Sequence, residues 1–290
     1  MKVMVIGANG QLGADLCQEL NSVELVPLKH SDIEVADMDS IRQAFSEHRP
    51  EVVINTAAFH RVDDCESDQD KAFLVNTRGA GNVAVSAQES GAKLVYISTD
   101  YIFGGESKPR TTSYTEFDTP VPPNVYGRSK LAGEGLVKHL CHRYFIIRTS
   151  GLFGVAGSSG KGQNFVETML RLAKEKSELR VVDDQIFSPT YTKDLAGKIA
   201  QLINTKDYGI FHVTNRGACS WCQFAVEILN LVGSKTPVIP ITSAEYPQAA
   251  RRPAYSVMDN CHLRLIGMDD MRPWAEALRD YMVAKGHIIK

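Results

Sequence analysis

Short apolar runs and amphipathic stretches alternate along the chain. VMVI at 3–6 has the β-branched pattern of a strand, runs into the glycine-punctuated turn GANGQLG, and is followed by the helical spacing of ADLCQEL. Strand, tight turn and helix in that order begin a βαβ unit. The alternation continues with a strand at 23–28, a helix at 39–48 introduced by Asp37 and Asp39, and a strand at 51–55. Helical spacing from 68 to 89 sets Ala72, Val75, Val83 and Ala87 on one side, and a strand follows at 93–98. Positions 99–124 carry Gly104, Gly105, Pro109, Pro120, Pro122 and Pro123 and predict a long loop, of a length that compact domains often keep for function. A helix at 125–140 and a strand at 143–148 close the first half.

After Ser150 the rhythm loosens. GVAGSSGKGQ at 154–163 predicts a mobile loop, followed by a helix at 164–176, a strand at 179–182, a helix at 192–204, a strand at 210–214 and a helix at 220–231. A proline-rich stretch covers 237–253, and Pro273 in the first turn introduces a last helix at 273–284. Nearly apolar strands separated by helices imply a parallel sheet covered on both faces. The expectation is an α/β protein, a doubly wound parallel sheet formed mainly by residues 1–150 and completed by later segments, with 151–290 expected to form mainly a smaller C-terminal part that returns to the main sheet.

Composition narrows the partners. Lys plus Arg number 32 against 34 Asp plus Glu, a net charge of −2, so no overall field draws the chain to nucleic acid or anionic lipid. No apolar stretch approaches the roughly 18 residues of a membrane helix, and the apolar run after Lys2 is too short for a signal-peptide core. The six cysteines show no repeated ligand pairing, and together these features predict a cytoplasmic protein without nucleic-acid or membrane partners. Cys219 and Cys222 form a CxxC with no second pair, and the eight histidines form no HExxH. The acidic run Asp63, Asp64, Glu66, Asp68 and Asp70 reads as a solvated helix start.

Two patterns carry chemistry. Gly7, Gly10 and Gly13 lie between a strand and a helix, where the chain must turn sharply and let its backbone approach a pyrophosphate at the helix N-terminus. Gly7, Asn9, Gly10, Gln11, Leu12 and Gly13 are therefore candidate cofactor-binding residues. The second strand ends Leu28, Lys29, His30, Ser31, with no acid until Asp32. Lys29 suits a 2′-phosphate, which tilts the cofactor toward NADPH over NADH. Asp37 and Met38 are candidates for the adenine, and Ala57 and Ala58 for the cofactor wall beyond the third strand. Tyr126 and Lys130 stand one helical turn apart and share a face. An ammonium there is expected to stabilise phenolate, bring the tyrosine into a working range as an acid and bond the nicotinamide ribose. Thr99, just past the fourth strand, offers a hydroxyl to both substrate oxygen and phenol, with Asp100 and Tyr101 following in the same loop.

GANGQLG at 7–13, STDYIFGG at 98–105, NVYGRSKLAGE at 124–134, NFVETMLRLAKE at 164–175 and RRPAYS at 251–256 resemble the dTDP-4-dehydrorhamnose reductases of the extended short-chain dehydrogenase/reductase superfamily, over essentially the whole chain. The resemblance implies a Rossmann-type NAD(P)-binding domain at 1–150 with a smaller C-terminal sugar-nucleotide-binding domain at 151–290, and reduction of the 4-keto group of dTDP-4-dehydro-L-rhamnose to dTDP-L-rhamnose by NADPH or NADH. Thr99, Tyr126 and Lys130 would be the catalytic set. Asn164, Phe165 and Arg252 would contact the sugar nucleotide, with Tyr101 near the sugar and Arg252 placed to clamp the diphosphate. It also implies a monomer or homodimer and leaves Mg2+ open, Asp15 standing where one form of the family has glutamate. The chain departs from the pattern at Gly151, where those enzymes carry a tryptophan against the deoxysugar, and at Phe187 in DQIFSPT, where glycine is usual. Phe187 is expected either to replace the missing ring or to reshape the pocket for another 4-keto sugar. A reductase or epimerase of another nucleotide-linked 4-keto-6-deoxyhexose, or a non-catalytic regulatory subunit of the same fold, are the alternatives.

Overall fold

Successive strand residues face opposite sides of a sheet, and here they feed two separate apolar layers. In the computed structural model, which describes residues 1–108, 110–157 and 163–289, the first half runs β1 (Lys2–Ile6), α1 (Gln11–Glu19), β2 (Glu24–Leu28), α2 (Met38–His48), β3 (Val52–Asn55), α3 (Val62–Ser67), α4 (Gln69–Phe73), α5 (Ala80–Ser90), β4 (Lys93–Thr99), α6 (Val125–Leu140) and β5 (Tyr144–Thr149). The second half runs β6 (Leu152–Phe153), α7 (Phe165–Glu175), β7 (Leu179–Val182), β8 (Ile186–Phe187), β9 (Thr190–Tyr191), α8 (Thr192–Leu202), β10 (Gly209–His212), β11 (Cys219–Ser220), α9 (Trp221–Leu231), β12 (Val238–Ile241), α10 (Cys261–Leu265) and α11 (Trp274–Ala284).

The main sheet has the order β10-β5-β4-β3-β1-β2, parallel throughout. Val3 and Val5 join Leu12 and Leu16 of α1 and Leu195 and Ile199 of α8 on one face. Met4 and Ile6 join Ile41 and Phe45 of α2, Val83 of α5 and Val137 of α6 on the other. A third apolar cluster unites α7, β7, α9 and α11 through Met169, Leu179, Phe224 and Leu278. β10 leaves that region to pair with β5, register Phe211↔Ile147, as the edge strand of the main sheet. From β1 the chain steps outward to β2 and then returns past β1 to β3, so the loops leaving β1 and β3 diverge and a crevice opens between them.

Three elements differ from expectation. The helix predicted over 68–89 is broken into α4, a π turn (Leu74–Gly79) and α5, with α3 ahead of it. Asp68 leaves helical geometry to cap α4 by accepting from Lys71 N, and Asn76 in the π turn binds Phe59 N and O and the Ser129 hydroxyl. The proline-rich stretch contains β12, which pairs with β7. Pro240 is tolerated there because a two-stranded ribbon leaves one edge free of ladder bonds. Pro273 occupies the N-cap of α11 rather than its first turn. Of the glycine-rich stretch at 154–163, residues 158–162 lie outside the described residues.

Candidate active site

Gly7 leaves β1 at φ 84°, and a Cβ there would meet Thr56 Oγ1 at 2.4 Å. A Cβ on Gly13 would meet Gly7 O at 2.1 Å, so α1 packs directly on the turn. Gly10 caps α1 without a side-chain acceptor, so the first-turn N–H groups have no side-chain cap. One cavity of about 310 Å³ is lined by Gly7, Asn9, Gly10, His30, Ala57 and Ala58, among others. A second, of about 320 Å³, is lined by Gly10, Gln11, Leu12, Gly13 and, across from them, Thr99, Asp100, Tyr101, Tyr126, Lys130 and Phe187. They share Gly10, Thr56, Ala58 and His60, and form one crevice along the carboxyl edge of the sheet.

At the β2 end the predicted residues fall elsewhere. Lys29 is exposed and lines neither cavity, because the turn closed by Lys29 N on Asp32 Oδ2 at 2.8 Å carries it outward and lays His30, Ile33, Glu34 and Val35 along the wall. Asp37 is committed to capping α2, accepting from Asp39 N at 3.0 Å, and neither it nor Met38 lines a cavity.

Around Tyr126 the elements lie close together. Asn124 caps α6 by accepting from Gly127 N and donates to Arg251 O, while Glu66 accepts from Val125 N at 2.8 Å. A Cβ on Gly127 would meet Tyr101 O at 2.0 Å, so only glycine lets α6 lie against the turn at 100–102. Thr99 hydrogen-bonds the Tyr126 phenol and accepts from Tyr101 N at 3.2 Å. The Lys130 ammonium donates to Ile97 O at 2.6 Å and sits 4.0 Å over the Tyr96 ring. Withdrawal from water pushes the Tyr126 phenol well above its ordinary value, with the Thr99 bond opposing. The same withdrawal holds Lys130 down to about 7, against Glu134. The expected lowering of the phenol by the lysine is not seen: desolvation dominates, only the Thr99 bond opposes it, and Tyr126 stays a protonated donor at neutral pH. Asp100 accepts from the Ser150 and Ser256 hydroxyls at 2.8 and 2.6 Å, and burial raises its carboxyl to about 6.

On the opposite wall Phe187 stacks on Trp221 at 3.9 Å between centroids, and its ring occupies the room above Gly151, where a Cβ would meet Phe187 Cε2 at 2.3 Å. Trp221, Gln185 and Ser256 also line this cavity and were not singled out from sequence. Trp221 reaches Phe187 only because β11 pairs with β8, Cys219↔Phe187. Arg252 is bound to Asp63 at 2.6 Å and Gln248 at 2.8 Å, lies 5.8 Å over the Tyr101 ring, and keeps a buried Nη1 with no partner among the described residues. Asn164 lines neither cavity. Its Oδ1 accepts from Glu167 N, and its Nδ2 is used by Gly154 O, Gln11 Oε1 and Tyr281 Oη. Phe165 lies behind the wall against Trp221 and Phe224.

Asp15 is enclosed and hydrogen-bonded to the Thr192 hydroxyl, burial raising its carboxyl, and among the described residues no group of three or more acidic, histidine or cysteine side chains could hold a metal. Magnesium is therefore not supported. Burial pushes the Cys219 thiol up to about 12 and raises Cys222 as well. Within the acidic run, Asp63 also accepts from Ala250 N and Asp68 caps α4, so these are structural ties as well as surface charge. No helix among the described residues is long and apolar enough to cross a membrane.

A family profile described as "RmlD substrate binding domain" matches residues 1–286. The chain is 44% identical over 283 residues to the spore coat polysaccharide biosynthesis protein SpsK of Bacillus subtilis (strain 168), covering 97% of this chain and 96% of the other. It is 35% identical over 294 residues to a dTDP-4-dehydrorhamnose reductase of Aggregatibacter actinomycetemcomitans, covering 96% and 97%. The crystal structure of a dTDP-4-dehydrorhamnose reductase from Bacillus anthracis in complex with NADP superimposes with a TM-score of 0.92 at 44% identity, covering 98% and 99%.

Proposed function

This chain belongs to the RmlD family, that of the dTDP-4-dehydrorhamnose reductases, and from that premise we propose that it reduces dTDP-4-dehydro-L-rhamnose to dTDP-L-rhamnose at the crevice described above. The carrying observation is that a protonated phenol, its hydroxyl and lysine neighbours and the glycine cradle all open onto one cavity. A nicotinamide dinucleotide fits the residues present. The close approach of Gly13 to Gly7 O leaves backbone rather than side chains at the diphosphate position, and α1 offers uncapped N–H groups there. Gly7, Asn9, Gly10, Gln11, Leu12 and Gly13 would hold it, with Ala57 and Ala58 along the wall. NADPH is the proposed form. Support comes from the NADP in the Bacillus anthracis relative and from Glu34, the acid at this end, being engaged by Ala36 N at 2.9 Å and His30 at 3.7 Å.

When bound, the reduced nicotinamide supplies a hydride to sugar C4. Tyr126 donates its proton to the oxygen that becomes the hydroxyl, and the Thr99 hydroxyl holds phenol and substrate oxygen together. Lys130 would hold the ribose of the bound cofactor and stabilise the phenolate left behind. Tyr101 and Phe187 line the cavity on the sugar's side, and Arg252, which lines neither cavity but stands over the Tyr101 ring, would meet the diphosphate through its unpartnered Nη1. A second reading, another nucleotide-linked 4-keto-6-deoxyhexose, draws support from Phe187 and Trp221 forming the wall that Gly151 leaves open.

The test is NADPH oxidation by the purified protein on dTDP-4-keto-6-deoxyglucose, with and without a 3,5-epimerase. Stoichiometric oxidation only with the epimerase is expected. Oxidation without it selects the second reading, and cofactor binding with no oxidation in either arm overturns both.

A further inference from the structure

An enclosed charge pair lies behind Lys130, and the reaction as described does not use it. Glu134, one turn beyond Lys130 on α6, accepts from Arg148 of β5 through both oxygens, Nε to Oε1 at 3.0 Å and Nη2 to Oε2 at 2.7 Å, and from the Ser98 hydroxyl at 2.5 Å. The two side chains are 2% and 3% exposed. Burying two full charges is expensive, and apolar residues of similar volume often do as well or better for stability. Folding alone is therefore a weak account of the pair. Ser98 stands between Ile97, whose carbonyl takes the Lys130 ammonium, and Thr99, which bonds the Tyr126 phenol.

Resting on the reading of Tyr126 and Lys130 given above, we propose that Glu134, held by Arg148, is a positioning residue for the reduction. It fixes the Ile97–Thr99 end of β4 and places a negative charge one helical turn from the Lys130 ammonium, favouring the charged form of that group. Burial alone drives Lys130 down, and Glu134 is the charge that opposes it. The other groups around α6 do not replace it. Tyr96 of β4 is held protonated by burial and by Glu134 itself. His212 of β10 is kept neutral by burial and Arg148, which bring it to about 3. Asp100 and Tyr101 follow β4 beside Tyr126, as does Cys65 of α3, while Glu66 of α3 binds Val125 N. Asp70 of α4 and Arg78 of the π turn lie beside Leu136 and Leu140, Lys71 of α4 lies over the Phe59 ring, and Glu89 of α5 is exposed near its C-terminal end.

The experiment follows NADPH affinity by fluorescence from pH 6 to 9 in the wild type, Glu134→Gln, and Glu134→Gln with Arg148→Met. The double variant removes both charges, so no buried ion is left unpaired. A charged lysine makes the stronger hydrogen bonds to a ribose. The double variant should therefore lose affinity at lower pH, its curve displaced by about one unit, with binding about tenfold weaker at pH 8 and within about threefold of wild type at pH 6. A folded double variant with the wild-type pH curve, or one that cannot fold, assigns the pair to structure alone and overturns the proposal. If Glu134→Gln alone unfolds, the double variant still decides. Affinity is read without turnover, so a wild type that binds NADPH but reduces no 4-keto sugar removes the substrate reading and leaves this test intact.

Discussion

Tyr126 and Asp100 flank Thr99, and burial drives both toward their protonated forms. For Tyr126 that is the form a reductase needs. Tyr126→Phe should leave NADPH affinity nearly unchanged and lower kcat by about 100-fold or more, because it removes a proton donor required in the transition state. Steady-state kinetics beside a cofactor titration checks this, and a wild-type rate would remove Tyr126 from the chemistry. Asp100 gives a prediction about stability. Its carboxyl titrates at about 6 in the folded protein against an ordinary 3.8, so the folded state holds the proton more tightly. Ionisation therefore penalises the fold progressively as pH rises from about 4 to 6, and the penalty is complete above that window. An asparagine side chain in its place would not ionise, and the rotatable serine hydroxyls can adapt to an amide. Asp100→Asn should stabilise the protein at pH 8 by about 2–3 kcal/mol and give no gain below about pH 4, as measured by Tm across that range.

At the scale of elements, the antiparallel pairing of β8 with β11 places Phe187 against Trp221 and over Gly151. Gly151 has φ 55°, so a side chain there meets backbone strain as well as the Phe187 ring. Gly151→Trp alone should lower stability and raise KM for the sugar nucleotide. Phe187→Gly should also raise KM, by about tenfold, as expected for a large ring lost from a ligand wall. The double variant should recover part of the loss, since residues sharing one space are non-additive by about 0.5–3 kcal/mol. A double-mutant cycle on product binding reads the coupling, and additive effects would reduce Phe187 to core packing. The segment 62–90 shows why part of the site was hidden in the sequence. Helical periodicity passes through the Asp68 break and the π turn unaltered, yet it is in that turn that Asn76 holds Phe59 and Ser129 beside the crevice.

Across the whole molecule, side chains far apart in sequence close the crevice from the second half. Ser256 bonds Asp100, Asn124 donates to Arg251 O, and Arg252 pairs with Asp63. Arg252 is thereby anchored beside the crevice through Nε and Nη2, with its buried Nη1 left without a partner among the described residues. Arg252→Ala should raise KM by about 10- to 100-fold, the worth of a charge-assisted hydrogen bond, with kcat much less affected because the contact is made equally in ground and transition states. A matching fall in kcat would instead indicate that the loop at 251–256 is needed to shape the reacting end.

By itself the sequence determined what depends on near neighbours. The alternation of apolar runs and helical faces specified a covered parallel sheet, the three glycines specified a turn that only backbone could line, and the spacing of Tyr126 and Lys130 specified a shared face. Each is set by the 2.0 or 3.6 residue period or by local sterics. Only the tertiary structure decided which polar groups remain available to a ligand. Lys29 is carried outward by a local turn and Asp37 is taken up by a cap, while Asn164 is used by Gln11 and Tyr281, the second 117 positions away. The protonation of Tyr126 and Lys130 was likewise decided by folding, because desolvation comes from every element packed around them and not from their spacing on one helix.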